Sequence, residues 1–151
     1  MEKFIHVRSS KFPILAGERE ELVNEGMFGK GLALYLQTKL RERGYEVPFV
    51  CAEDWGWWVS LKTAPFALGV CVYAGPVEDR PVEGEAVQDG PGEFACTTGA
   101  PGRKVWSWKK FGFIDTSPWV NKLHEDLLAI FQADGDVQVV GVLDEMPDLQ
   151  A

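Results

Sequence analysis

Cysteine is scarce in this chain and histidine scarcer. Three cysteines (Cys51, Cys71, Cys96) and two histidines (His6, His124) occur in 151 residues. The cysteines are odd in number, widely spaced and without a C-x-x-C pair. That excludes a disulfide-built scaffold and fits reduced thiols in a cytoplasm. Cys51 and Cys71 fall in strand-like runs and read as small hydrophobes, whereas Cys96, in a loop-like setting, is the cysteine that reads as reactive. Neither histidine belongs to a metal-spaced set, so the sequence calls for no metal and no cofactor.

Long apolar runs are missing as well. There is no apolar span of 18 residues, and "MEKFIHVRSSKF" lacks the apolar stretch of a signal peptide. A cytoplasmic chain is the expectation. Positive charge is in deficit: 15 basic against 23 acidic side chains leave a formal charge of −8. Such a field repels phosphate backbones and anionic lipid, which argues against nucleic acid and membrane as partners of the molecule as a whole. It favours basic partners instead.

The motifs G-x-S-x-G, H-E-x-x-H and G-x-x-x-x-G-K-[ST] are absent, and no catalytic residue is assigned. "GMFGKG" has neither the spacing nor the preceding strand of a phosphate loop, so its glycines read as tight helix packing.

What is present is an ordinary globular composition, 46% hydrophobic and 25% charged, at the commonest single-domain size. One α+β domain over residues 1–151 is expected. Residues 2–8 read as a strand and Glu18–Asn24 as a short turn-rich helix. A firmer helix runs from about Met27 to Arg43, where Phe28, Leu32, Leu36 and Leu40 recur at i+4 and Gly44 follows as its stop. "VPFVCA" (47–52), "WWVSLKT" (57–63) and "FALGVCVYA" (66–74) are strands joined by tight turns.

The Gly-, Pro- and acid-rich region 75–102 reads as loops around one short strand, "EFACTT" (93–98), with 81–92 its most mobile part. "KVWSW", continuing toward "FGFID", reads as one further strand. A second helix opens at Ser117–Pro118 with apolar positions 120, 123, 127 and 130, and "VQVVGVL" (137–143) closes the fold. The order is β-α-β-β-β-β-α-β. It describes a single, mainly antiparallel sheet with two helices on one face.

The unusual stretch is "CAEDWGWWVSL". If it stays extended, Glu53, Trp55 and Trp57 share one face and Asp54 and Trp58 the other. If Asp54–Gly56 turns instead, Glu53 meets Trp57 across the neck. Packing explains one of Trp57 and Trp58; the other must face outward, where an indole finds a ligand or partner. In "RKVWSWKKFGF", Trp106 and Trp108 share a strand face with Lys104 and Lys110. Were that strand beside the central ones, its indoles and Glu53 would line one surface.

The segments "ELVNEG", "EDWGWW" and "IDTSPW" span most of the chain, and they resemble small uncharacterised bacterial proteins with an E-D-W-G-W stretch. The resemblance implies a bacterial stand-alone α+β domain and no particular activity.

Three functions compete. The first is a non-catalytic module that binds a protein through a tryptophan-rich sheet face, basic partners being favoured by an immunity- or antitoxin-like analogy of charge. The second is a sensor of organic cations with Glu53 in an aromatic pocket. The third is a hydrolase using Glu53, with Cys96 as a remote nucleophile. Candidate binding residues are Glu53, Asp54, Trp55, Trp57, Trp58, Trp106 and Trp108. An uncovered sheet face or edge would also let the chain pair as a homodimer.

Overall fold

A computed structural model describes residues 3–77 and 89–149. Most of the segment expected to be mobile, 81–92, lies outside them. The elements run β1 (Phe4–Arg8), α1 (Glu18–Glu21), α2 (Lys30–Glu42), β2 (Phe49–Glu53), β3 (Gly56–Leu61), β4 (Leu68–Ala74) and β5 (Glu93–Gly99). They continue with β6 (Lys104–Ser107), β7 (Gly112–Asp115), α3 (Ser117–Ala133) and β8 (Gln138–Leu143).

Six strands form one sheet in the order β2-β3-β4-β5-β1-β8, and every adjacent pair is antiparallel. The α+β class and the order of elements agree with the sequence. β5, the short strand expected within the Gly/Pro-rich region, sits at the centre of the sheet, which puts Cys96 in a strand and not in a loop-like setting.

Side-chain alternation divides the two faces. Ile5, Val7, Trp57, Val59, Val70, Val72, Phe94 and Cys96 point into the core. There they meet Leu32, Leu36 and Leu40 of α2 and Leu123, Leu127 and Phe131 of α3. The apolar stripes at helical spacing are what hold both helices on this face. α2 begins at Lys30 rather than near Met27, and Gly44, at φ 91°, turns the chain out of it.

The N-terminus of α2 is capped from a distance. The buried Glu18 carboxylate accepts the N–H groups of Gly29 (3.0 Å) and Lys30 (3.1 Å), as well as that of Leu15 (3.1 Å). No side chain at the helix's own N-cap does this work, because that position is Gly29.

Residues 104–115 depart from the expected single strand. They fold back as the β6–β7 hairpin, a two-stranded sheet hydrogen-bonded apart from the main one. The reversal falls at Trp108–Phe111, where Phe111 takes a left-handed φ of 50°. Lys110 N–H donates to Ser107 Oγ (3.3 Å) within the turn.

Candidate functional site

The sequence candidates separate into three places. Trp57 belongs to the core: it is 2% exposed, and its indole N–H donates to the Met27 carbonyl oxygen at 3.0 Å. It is therefore corrected from a partner-binding residue to a packing one. The physical reason is register. Asp54 and Trp55 form the whole turn and Glu53 pairs with Gly56, so Trp57 stands opposite Ala52 on the helix side.

Trp58, one residue on, takes the face the helices leave bare. Its ring lies across Gly69 and Gly99, so close that a β-carbon on either would stand 2.4–2.5 Å from it. Trp55, at the turn, tilts against Tyr73 (5.3 Å between ring centroids), and Tyr73 also approaches Phe4 (6.3 Å). Glu53 joins this face beside Cys51, whose thiol donates to its Oε1 at 3.6 Å. Asp54 stays exposed at the turn, and its carbonyl oxygen accepts from Asn24 Nδ2 at 2.6 Å.

The rings thus lie flat on the sheet. His6, Ala95 and Thr97 of the same face are almost out of contact with water. His6 Nε2 lies 3.3 Å from Glu93 Oε2, and Arg8 donates to Glu93 Oε1 through Nε (2.9 Å) and Nη2 (2.5 Å). Cavities of about 230, 330 and 250 Å³ lie beside α3, lined by residues such as Thr98 and Asn121, Tyr35 and Asp134, and Tyr45 and Trp119. None of these three is lined by Glu53 or by the tryptophans from 55 to 58.

The cysteine expectation also changes. Cys96 is fully buried in β5, and burial, with Cys71 as a smaller cause, pushes its thiol well above the ordinary range. Burial and the neighbouring Glu53 likewise raise the Cys51 thiol. Thiolate, the nucleophilic form, is suppressed at both positions. His124, on α3, is held below the usual histidine range by burial and by Lys3.

The third place is the β6–β7 hairpin. It brings Trp106 and Trp108 together, but away from Glu53, so the single surface expected from the sequence does not form. In its place the hairpin builds an aromatic cluster of its own. Trp106 stands opposite Phe113, with ring centroids 5.2 Å apart, and meets Trp108 at 5.5 Å and Phe111 at 5.7 Å, all edge to face. The exposures are 40% for Trp106, 80% for Trp108, 77% for Phe111 and 70% for Phe113. Four large rings gathered and left in water are uncommon on a protein surface.

Local sequence explains the arrangement. Val105 and the buried Ile114 pair on the inner face of the hairpin, so the alternate positions 106 and 113 must point out. The base is closed at the N-cap of α3: Thr116 N–H donates to the Arg103 carbonyl oxygen (2.8 Å), and Thr116 Oγ1 donates to that of Gly102 (2.5 Å). Asp115 Oδ1 accepts the Ser117 N–H at 3.0 Å, which holds its carboxyl below the usual range with help from Lys104 and Arg103. The N-cap position is thus Thr116, with Asp115 accepting from just before it, and Ser117, expected as the cap, is the helix's first residue.

Phe111 and Phe113 are the site residues that sequence reasoning passed over. The signal was the mirrored spacing W-x-W-K-K-F-x-F, which a reversal at the two lysines folds onto one face. No protein-family model, curated protein or solved structure matches this chain.

Proposed function

We propose that the chain is a non-catalytic binding module that holds a protein partner through the β6–β7 hairpin. One observation carries the reading: four aromatic rings stay exposed on a hairpin whose base is closed at the N-cap of α3. Tryptophan, with its large amphipathic area, dominates the energetics of protein interfaces. Rings already held edge to face lose little further freedom on binding, which favours affinity.

The tryptophan-rich surface is accordingly the hairpin and not the six-stranded sheet. The immunity-type analogy rested on the negative charge of the whole chain, and it does not describe this locally basic surface. A cation sensor built on Glu53 would draw on Trp55, Trp58 and Tyr73, with Phe4 and Phe49 further along the same face, but Glu53 and these tryptophans line none of the three cavities described above. A hydrolase would lack its suggested thiol nucleophile, since Cys96 is enclosed.

The test is affinity capture from a native extract, run side by side with the wild type and a Trp106→Ala/Trp108→Ala variant. A partner retained by the wild type and lost from the variant supports the reading. Identical retained proteins would reject it.

A further inference from the structure

We infer, resting on the hairpin as the docking element, that the surface seated against it is an acidic patch on another protein, with apolar recesses for Trp108 and Phe111. The charges around the rings lead there. Arg103, Lys104, Lys109 and Lys110 surround the aromatic cluster, against one carboxylate, Asp115, within residues 103–115. Among the described residues none of these four cations forms a salt bridge. Arg103 and Lys104 act on Asp115 at the base, whereas Lys109 and Lys110 at the turn face no such carboxylate within the hairpin, and opposite charge across an interface sets both encounter rate and register. The hairpin therefore has a sign opposite to that of the chain that carries it.

That same contrast selects among polyanions. The rest of the sequence holds 22 acidic side chains against 11 basic ones. An anionic bilayer is an extended plane that faces the body as well as the hairpin, and a nucleic-acid backbone repeats its charge along its length. Both meet repulsion from the body, which screening over about 8 Å reduces without abolishing. An acidic protein patch can be confined to roughly 800 Å², the footprint of a standard interface, and so engage the hairpin alone.

The rings add shape. Trp106 is the hub on which Trp108, Phe111 and Phe113 rest. Trp108 and Phe111, at the turn, are the most exposed of the four and are the natural anchors. A contoured protein surface can use such fixed knobs.

The experiment is selection of a displayed random-peptide library on the full chain, counter-selected on the Trp106→Ala/Trp108→Ala variant. The expected peptides combine Asp and Glu with large aliphatic residues. Their affinity falls about tenfold for Lys109→Glu/Lys110→Glu and on raising salt. Discriminating peptides without an acidic excess would overturn the charge assignment while leaving hairpin docking in place. No peptide distinguishing wild type from variant would overturn docking itself. Sedimentation with phosphatidylglycerol vesicles, or binding of a single-stranded oligonucleotide, each abolished in the double variant, would overturn the choice of a protein. Unchanged unfolding curves establish that both variants fold.

Discussion

Glu18 and Gly29 lie eleven residues apart, and the carboxylate of the first accepts the backbone N–H of the second at 3.0 Å. This bond, with its companions to Lys30 and Leu15, joins α1 to the start of α2 and satisfies donors that the glycine at the N-cap cannot. A negative group at this end also complements the helix dipole. Truncation leaves the buried Gly29 N–H and the partly buried ones of Lys30 and Leu15 without this acceptor. Glu18→Ala should lower stability by about 2–3 kcal/mol, read as a shift in the denaturant midpoint without a change in slope. A loss below half a kcal/mol would show that water replaces the carboxylate.

Trp58 tests the opposite sheet face. Its ring fits only because positions 69 and 99 carry no side chain. Gly69→Ala would also press its new methyl to 2.4 Å from the Val59 carbonyl oxygen, which cannot swing away. Gly99→Ala meets chiefly the Trp58 ring and, at 3.2 Å, Cys71 Sγ. Overpacking of this kind costs about 1–3 kcal/mol. Gly69→Ala should lie at the upper end and Gly99→Ala lower. In the background Trp58→Ala the Gly99 penalty should largely vanish, and calorimetric Tm values for the four proteins would decide it.

How far the fold could be read from the chain follows from which interactions are local. Leu32–Leu36–Leu40 and Leu123–Leu127 announce helices through their own spacing, and both helices are found. Whether Trp57 or Trp58 faces inward depends on register, set by the two-residue turn at Asp54–Trp55, and alternation alone leaves two answers. The hairpin at 104–115 was hidden because its reversal falls on Trp108–Phe111, ahead of Gly112, and uses a phenylalanine at positive φ. Turn chemistry gives little warning of that choice. Cys96 misled for a different reason: glycine and proline flank β5, but the strand itself pairs with β1 and β4 across long sequence distances.

Asp134 makes stability depend on acid. Its carboxylate accepts from Lys11 Nζ (2.6 Å), Tyr35 Oη (2.7 Å) and the Asp136 N–H (2.9 Å), which together lower its pKa from 3.8 to about 2. A folded pKa below the unfolded one means that the contribution is complete above about pH 4 and is lost as pH falls toward 2. Denaturant unfolding between pH 5 and pH 2 (roughly the span over which such a group titrates) should therefore steepen for the wild type relative to Asp134→Asn. Equal slopes would assign the acid sensitivity to other carboxylates. Tyr35, pushed up by its own burial and by this bond, stays protonated throughout.

Trp57 and Trp108 carry the same side chain to opposite ends, and comparing them separates folding from binding. Trp57 is enclosed, hydrogen-bonded and surrounded by the core, so Trp57→Ala opens a cavity and should cost about 3–5 kcal/mol. Trp108 is 80% exposed, so Trp108→Ala should change stability by no more than about 0.5 kcal/mol. Acrylamide should quench the fluorescence lost with Trp108 far more readily than that lost with Trp57. If the two substitutions destabilise alike, Trp108 is covered in solution, and the hairpin is a structural strut. If only Trp57→Ala destabilises, the Trp108 indole has no folding role, which is the result that the proposed docking role requires.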